Sequence, residues 1–229
     1  MNTPAIVLGI IIVVLFFILY FYFTSSSKTN SVAVMNLNTS ASAPLIESKN
    51  VKNSKSTQFA YGIWVYVNSW DSSKEKIIFY RPNSTTASTK DISVYLDKSS
   101  PKLYCSIKTD STTTTDAPIL ITNNFPLQKW MCITVSVSSQ FVDTYLNGKL
   151  VTSQQLYGVP TVSDTPIYTG AFDAYAAQFQ RWPNALDPQT VWTTYLAGNG
   201  GNSFSKMFNS YGLDISFTQN GITQGTVSV

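Results

Sequence analysis

The chain has 229 residues, enough for one sizeable domain with accessory segments. Its formal charge of +3 is unevenly placed: residues 58–229 hold eleven Lys/Arg against eleven Asp/Glu, and the surplus lies upstream in Lys28, Lys49, Lys52 and Lys55 against Glu47. A neutral domain lacks the basic face that neutralises phosphates, which excludes nucleic acid as the partner, and the absence of any histidine removes the commonest general base and the commonest neutral metal ligand.

Ala5 to Phe23 are nineteen consecutive residues without a charge, fifteen of them Ile, Val, Leu or Phe. As a helix they span about 28 Å, close to the roughly 30 Å of a bilayer's hydrocarbon. Insertion is favoured by roughly 5–9 kcal/mol. Ile6, Leu8, Ile11, Leu15, Phe16, Ile18 and Leu19 form the apolar body of this expected transmembrane anchor (1–23), and Tyr20 and Tyr22 stand where an aromatic belt sits. A cleaved signal peptide fits less well, because no Lys or Arg precedes the run and no A-x-A site follows it. Lys28 favours a cytosolic C-terminal side; the sequons Asn38-Thr39-Ser40 and Asn83-Ser84-Thr85 matter only if the domain is translocated.

Residues 24–57 are rich in Ser, Thr, Asn and Lys, with apolar islands at Val32–Leu37 and Pro44–Ile46. Such a composition reads as a polar, solvated tether; its lysines resting on anionic head groups is the competing reading. From Gln58 the period becomes two. The runs 59–67, 76–81, 91–96, 102–108, 119–122, 130–138 and 141–146 are short, β-branched and aromatic, and bounded by turn formers. In 130–138, Met131, Ile133, Val135 and Val137 alternate with Cys132, Thr134 and Ser136, the pattern of a half-buried strand. Asn147-Gly148 supplies the positive φ angles of a two-residue hairpin. Asp187 and Pro188 open a short helix as cap and first-turn residue, with Gly198 as its stop. Many strands, one brief helix and no βαβ alternation predict an all-β, two-sheet antiparallel sandwich over 58–198 preceded by one transmembrane α-helix, with an extension at 199–229 that packs on the sandwich or a partner.

Cys105 and Cys132, the only cysteines, are too few for a thiolate zinc site or a disulfide-dense scaffold. Both lie in apolar strand-like runs, where a buried free thiol is the expected state and a disulfide the alternative.

QFAYGIWVYVNSW, KEKIIFYR, DISVYLDKSSPKLYCSI and FPLQKWMCITVSVSSQFVDTYLNGKLV together resemble the concanavalin A-like, laminin-G-type jelly roll. Trp130, Tyr145, Asn147 and Gly148 occupy the positions of that family's central hairpin. QRWPNALDPQTVWTTY, with Asp187 and Pro188, resembles its closing strand and helix. The resemblance spans about 58–197 and implies a fold rather than an activity. The anchor and the tail are also similar to virion proteins of large double-stranded DNA viruses.

Some members of such a family are glucanases working with two facing carboxylates, but the E-x-D-x-E strand is absent here, and the only glutamates are Glu47 and Glu75. Hydrolysis is not expected, and no cofactor is. Calcium is the exception the resemblance allows, with Asp91, Asp97, Asp110, Asp116 and Asp143 as candidates by type against a reading of each as a turn or solvated aspartate. Trp64, Trp70, Trp182 and Trp192, with the many tyrosines, form either core or a sugar-stacking platform, and Arg181 either pairs with a buried carboxylate or snorkels at an edge. The expected function is a non-enzymatic, single-pass membrane protein, a minor capsid protein linking an internal membrane to a viral shell. Its partners are then the lipid bilayer through residues 5–23 and neighbouring capsid or membrane proteins, with Met207, Phe208, Leu213, Ile215 and Phe217 as docking residues. The alternative is a membrane-tethered lectin or adhesin that binds glycan at the sandwich rim.

Overall fold

The computed structural model describes residues 13–16, 34–40, 44–84, 89–112, 114, 116–200, 214–219 and 222–228. Of the expected anchor, only 13–16 are described; they are helical and exposed, Leu15 and Phe16 included, while Ile6, Leu8, Ile11, Ile18, Leu19, Tyr20 and Tyr22 lie outside the described residues. Among the described residues no helix is long and apolar enough to cross a membrane.

Alternating sequence gives ten strands in two antiparallel sheets. They are β1 (Met35–Asn36), β2 (Gln58–Val67), β3 (Lys76–Pro82), β4 (Lys90–Leu96), β5 (Leu103–Ile107), β6 (Ile119–Thr122), β7 (Met131–Ser138), β8 (Phe141–Leu146), β9 (Lys149–Gln155) and β10 (Ala174–Trp182). The larger sheet runs β1-β10-β2-β7-β8-β9 and the smaller β3-β4-β5-β6. Phe59, Tyr61, Ile63, Val65 and Val67 of β2, with Ile133, Val135 and Val137 of β7, face Ile78, Ile92, Val94, Leu103 and Cys105 across the core. Tyr61, Phe79 and Phe179 form its aromatic centre, with ring centroids 5.3–6.1 Å apart. A separate two-stranded sheet pairs β11 (Asp214–Gln219) with β12 (Ile222–Ser228). It carries Ile215 and Phe217 in register with Val227 and Gly225; Met207, Phe208 and Leu213 lie outside the described residues.

The local signals at 145–151 and 187–198 form as the residues dictate. Asn147 and Gly148 turn the β8–β9 hairpin at φ 50° and 75°, and the Asn147 carboxamide oxygen accepts the Cys132 N–H at 2.9 Å. Asp187 caps the helix Pro188–Ala197 by accepting the Thr190 N–H at 3.0 Å. That helix lies over the outer face of the larger sheet, which corrects the half-buried reading of β7. Cys132, Thr134 and Ser136 are as buried as their inward neighbours, and the Ser136 hydroxyl exchanges hydrogen bonds with the Leu186 backbone. Trp64 stacks on Tyr195 of the helix, with centroids 5.5 Å apart.

The solvated-tether reading also requires correction. Leu37, Ile46 and Val51 enter the core, β1 pairs with β10, and Ile46 bridges to Ile167 while Tyr168 bridges to Tyr80 of β3. Among the described residues Arg181 meets no carboxylate, and it does not snorkel. It points inward from β10, 7% exposed, and donates to the carbonyls of Lys52 and, at 3.3 Å, Asn53. Arg81 of β3, 1% exposed, donates to Ser54 and Thr165 carbonyls at 3.2 Å each. One arginine from each sheet therefore grips the turn at 52–54.

Cys105 points into the core and Cys132 out of it beneath the helix, both as free thiols. Burial pushes each up to about 12. Thiolate is the reactive form, so native protein at pH 8 should resist iodoacetamide at both cysteines and take up two equivalents in denaturant; mass spectrometry reads the difference. A Cβ at Gly148 would lie 2.8 Å from the Trp192 ring and 2.9 Å from Tyr195, at a φ that disfavours side chains. Gly148→Ala should cost more than about 1 kcal/mol of stability, measured by denaturant unfolding.

Candidate functional site

Register places a continuous set of side chains on the outer face of the larger sheet, at the end the helix leaves open. Outward residues alternate along each strand, so Tyr175 of β10 stands between Asn36 of β1 and Tyr66 of β2. Trp130, just before β7, continues the row. The Tyr66 ring lies 5.7 Å from Trp130 and 6.4 Å from Tyr175. The rings are only partly covered, with Tyr175 at 38% exposure.

Beyond this aromatic row lies a polar one. Asp173, two residues before Tyr175, shares its face. Its carboxylate accepts from the Asn68 amide at 3.0 Å, the Ser69 hydroxyl at 2.5 Å and the Asn38 amide at 3.5 Å. The Gln128 amide donates to the Asn68 carbonyl at 3.4 Å. Asn38, Asn68, Ser69 and Gln128 are all exposed. The carboxylate thus orients a set of amide and hydroxyl groups beside a strip of π faces. Such a surface supplies hydrogen-bond donors and acceptors together with apolar stacking, and it holds no nucleophile–base pair.

Three of the five aspartates singled out for calcium do another job. Asp116, Asp110 and Asp91 accept, in order, from the Tyr157 N–H at 2.9 Å, the Val159 N–H at 2.7 Å and the Thr161 hydroxyl at 2.9 Å. They fasten alternate residues of the crossover to the smaller sheet. Asp97 holds its own turn, where hydrogen bonds from Ser100, and then Ser99, pull its carboxyl down to about 2. Asp143 lies on β8 opposite Ser136 and Ser153. Among the described residues no group of three acidic or thiol side chains could hold a metal ion.

The tryptophans divide. Trp64 is stacked under the helix and Trp182 packs against Gly62. Trp70 is capped by the Lys76 ammonium 3.9 Å above its ring, and burial lowers the pKa of that lysine. Trp192 is partly exposed beside Leu196 on the helix, and Leu150 on the neighbouring strand β9 is exposed as well. Of the hairpin residues, Tyr145 is buried on the outer face of β8, while Trp130 joins the rim. Asn83 of the second sequon is committed, its amide donating to Asp91 at 2.6 Å and Ser163 at 3.3 Å. Sequence reasoning missed Asp173, and it named the tyrosines only collectively, without singling out Tyr66 and Tyr175. The available signal was their two-residue spacing from Asn68 and Asp173, legible only once β10 is seen to lie between β1 and β2.

A family model described as the concanavalin A-like lectin/glucanases superfamily matches residues 38–220. No curated protein sequence matches significantly. Among solved structures, the chain is similar to an HCR/D mutant (11% identity, 74% of this chain and 45% of that one, TM-score 0.54). It is also similar to the binding domain of Paraclostridial Mosquitocidal Protein 1 (14%, 76% and 48%, TM-score 0.52) and to the Botulinum neurotoxin serotype D binding domain (13%, 72% and 39%, TM-score 0.50). The chain spans less than half the length of each, and at such identities the likeness is one of fold. With two antiparallel sheets in place and well over half its length matched, the chain belongs to the concanavalin A-like lectin/glucanases superfamily.

Proposed function

We propose that this protein is a non-enzymatic recognition module, held at a bilayer by its apolar residues 5–23, that binds glycan at the rim formed by Tyr66, Trp130, Tyr175 and the Asp173 amide cluster. The observation that carries it is the juxtaposition of the two rows: partly exposed rings within 6.4 Å of one another and amides oriented by one carboxylate. Sugars present apolar C–H faces and vicinal hydroxyls, which this arrangement meets with stacking and with paired donors and acceptors. Two structural neighbours that are binding domains and the lectins of the family are in keeping with this reading. The absence of histidine and the engagement of Asp91, Asp110 and Asp116 in structural hydrogen bonds support a module without catalysis.

A second reading is a minor capsid protein joining an internal membrane to a shell. The outward apolar residues Leu150, Trp192 and Leu196 favour it, because exposed apolar surface marks protein contacts. Fractionation of particles, with carbonate washing of the membrane fraction, separates a bilayer-held shell component from a surface receptor.

A glycan array probed with the full chain in detergent should give binders. Tyr175→Ala should weaken the best of them by about tenfold or more, the loss expected for one stacking ring, without moving the unfolding midpoint by more than a few degrees. An array on which the folded chain binds nothing, or binding unchanged in Tyr175→Ala, rejects the rim.

A further inference from the structure

We infer that the fold contains a buried monatomic anion site, filled by chloride, between Arg81 and Arg181. The two guanidinium groups come from opposite sheets and converge on one turn, Arg181 on the carbonyls of Lys52 and Asn53 and Arg81 on that of Ser54. The carbonyls they hold belong to three consecutive residues, whose Cα atoms are about 3.8 Å apart. Among the described residues their hydrogen-bond partners are backbone carbonyls. Each guanidinium also keeps one buried nitrogen without a partner: Nη2 of Arg81 and Nε of Arg181.

Carbonyl dipoles solvate a cation but do not neutralise it, and a buried charge is tolerated when it is both paired and hydrogen-bonded. Arg81 and Arg181 have the hydrogen bonds and, among the described residues, lack the counter-charge. Two unspent donors on like charges that hold one turn call for an acceptor of negative sign. Burial sets its size, since Arg81 is 1% and Arg181 7% exposed: phosphate or a partner's carboxylate has no entry, which leaves a monatomic anion. The Tyr61 ring, 5.9 Å from the Arg181 guanidinium, adds a π face to the cation but no acceptor for Nε. Because both arginines hold the 52–54 turn, an anion here favours the docked state of the segment that leads back to residue 34.

Crystals of the full chain grown in bromide should show an anomalous peak within hydrogen-bonding distance of Arg81 Nη2 and Arg181 Nε. In solution, replacing gluconate by chloride at fixed ionic strength should raise the unfolding midpoint. Above the dissociation constant, each tenfold rise in chloride should multiply the folding equilibrium constant by about ten. Arg81→Met should abolish that chloride dependence. No bromide peak at the two nitrogens, or the same midpoint in both salts for the unmodified chain, overturns the site; the diffraction arm needs no variant to fold.

Discussion

The grip of two buried arginines on the turn at 52–54 is the constraint on which the rest of the molecule depends. It ties a lysine- and serine-rich stretch to the core of a sandwich whose long strands begin at residue 58. The four hydrogen bonds from Arg81 and Arg181 to carbonyls are worth about 1.5–3 kcal/mol each when the donor is charged. Burying each ion costs several kcal/mol. The two terms are of one size, so the yield of the clamp is position rather than net stability. It fixes where the N-terminal segment runs, and from there Leu37 reaches the core and β1 reaches the open edge of β10.

Irregularities in the larger sheet complete the placement. β10 carries a register shift between Ala177 and Gln180, with Gln178 at a φ of 50°. A bulge of this kind changes which residues face inward. Before it, Ala174 and Ala176 face the core; after it, Phe179 does, and Arg181 with it. Without the extra residue, strict alternation from Ala176 would send Arg181 outward and the clamp could not form. The same shift leaves Asp173 and Tyr175 on the outer face, beside Asn68 and Tyr66. One local device thus sets the inward clamp and the outward rim together.

The strands with clean alternation were legible from residues alone: 119–122 and 141–146 are expected and observed at the same limits, and Asn147-Gly148 gave the turn between β8 and β9. What escaped the sequence has physical causes. β10 reads AYAAQFQRW, in which small residues and the bulge hide the period. The segment 34–57 looks solvated because composition averages over residues, whereas docking depends on three of them, Leu37, Ile46 and Val51. The outward half of β7 looks exposed because a strand's pattern does not report what a distant helix covers. The tryptophans are the largest rings, yet Trp64 and Trp182 fill the space under the helix and against Gly62, and of the four Trp192 is the most exposed, at 36%. The rim uses Tyr66, Trp130 and Tyr175 instead, which only strand order brings together.

The rim is assembled from four stretches far apart in sequence: Asn36–Asn38, Tyr66–Ser69, Gln128–Trp130 and Asp173–Tyr175. Three are integral to the larger sheet. The first is carried on a two-residue strand and one helical turn (Leu37–Ser40), too little backbone pairing to hold itself. Its place therefore derives from Leu37 in the core and from the arginine-held turn downstream. A ligand touching both Asn38 and the Asp173 cluster binds the docked arrangement in preference to the undocked one. By linkage, occupancy of the rim and docking of the N-terminal segment then favour each other by the same factor. The residues that lead toward the apolar segment at 5–23 would thus be energetically joined to the proposed glycan rim, although the two share no side chain.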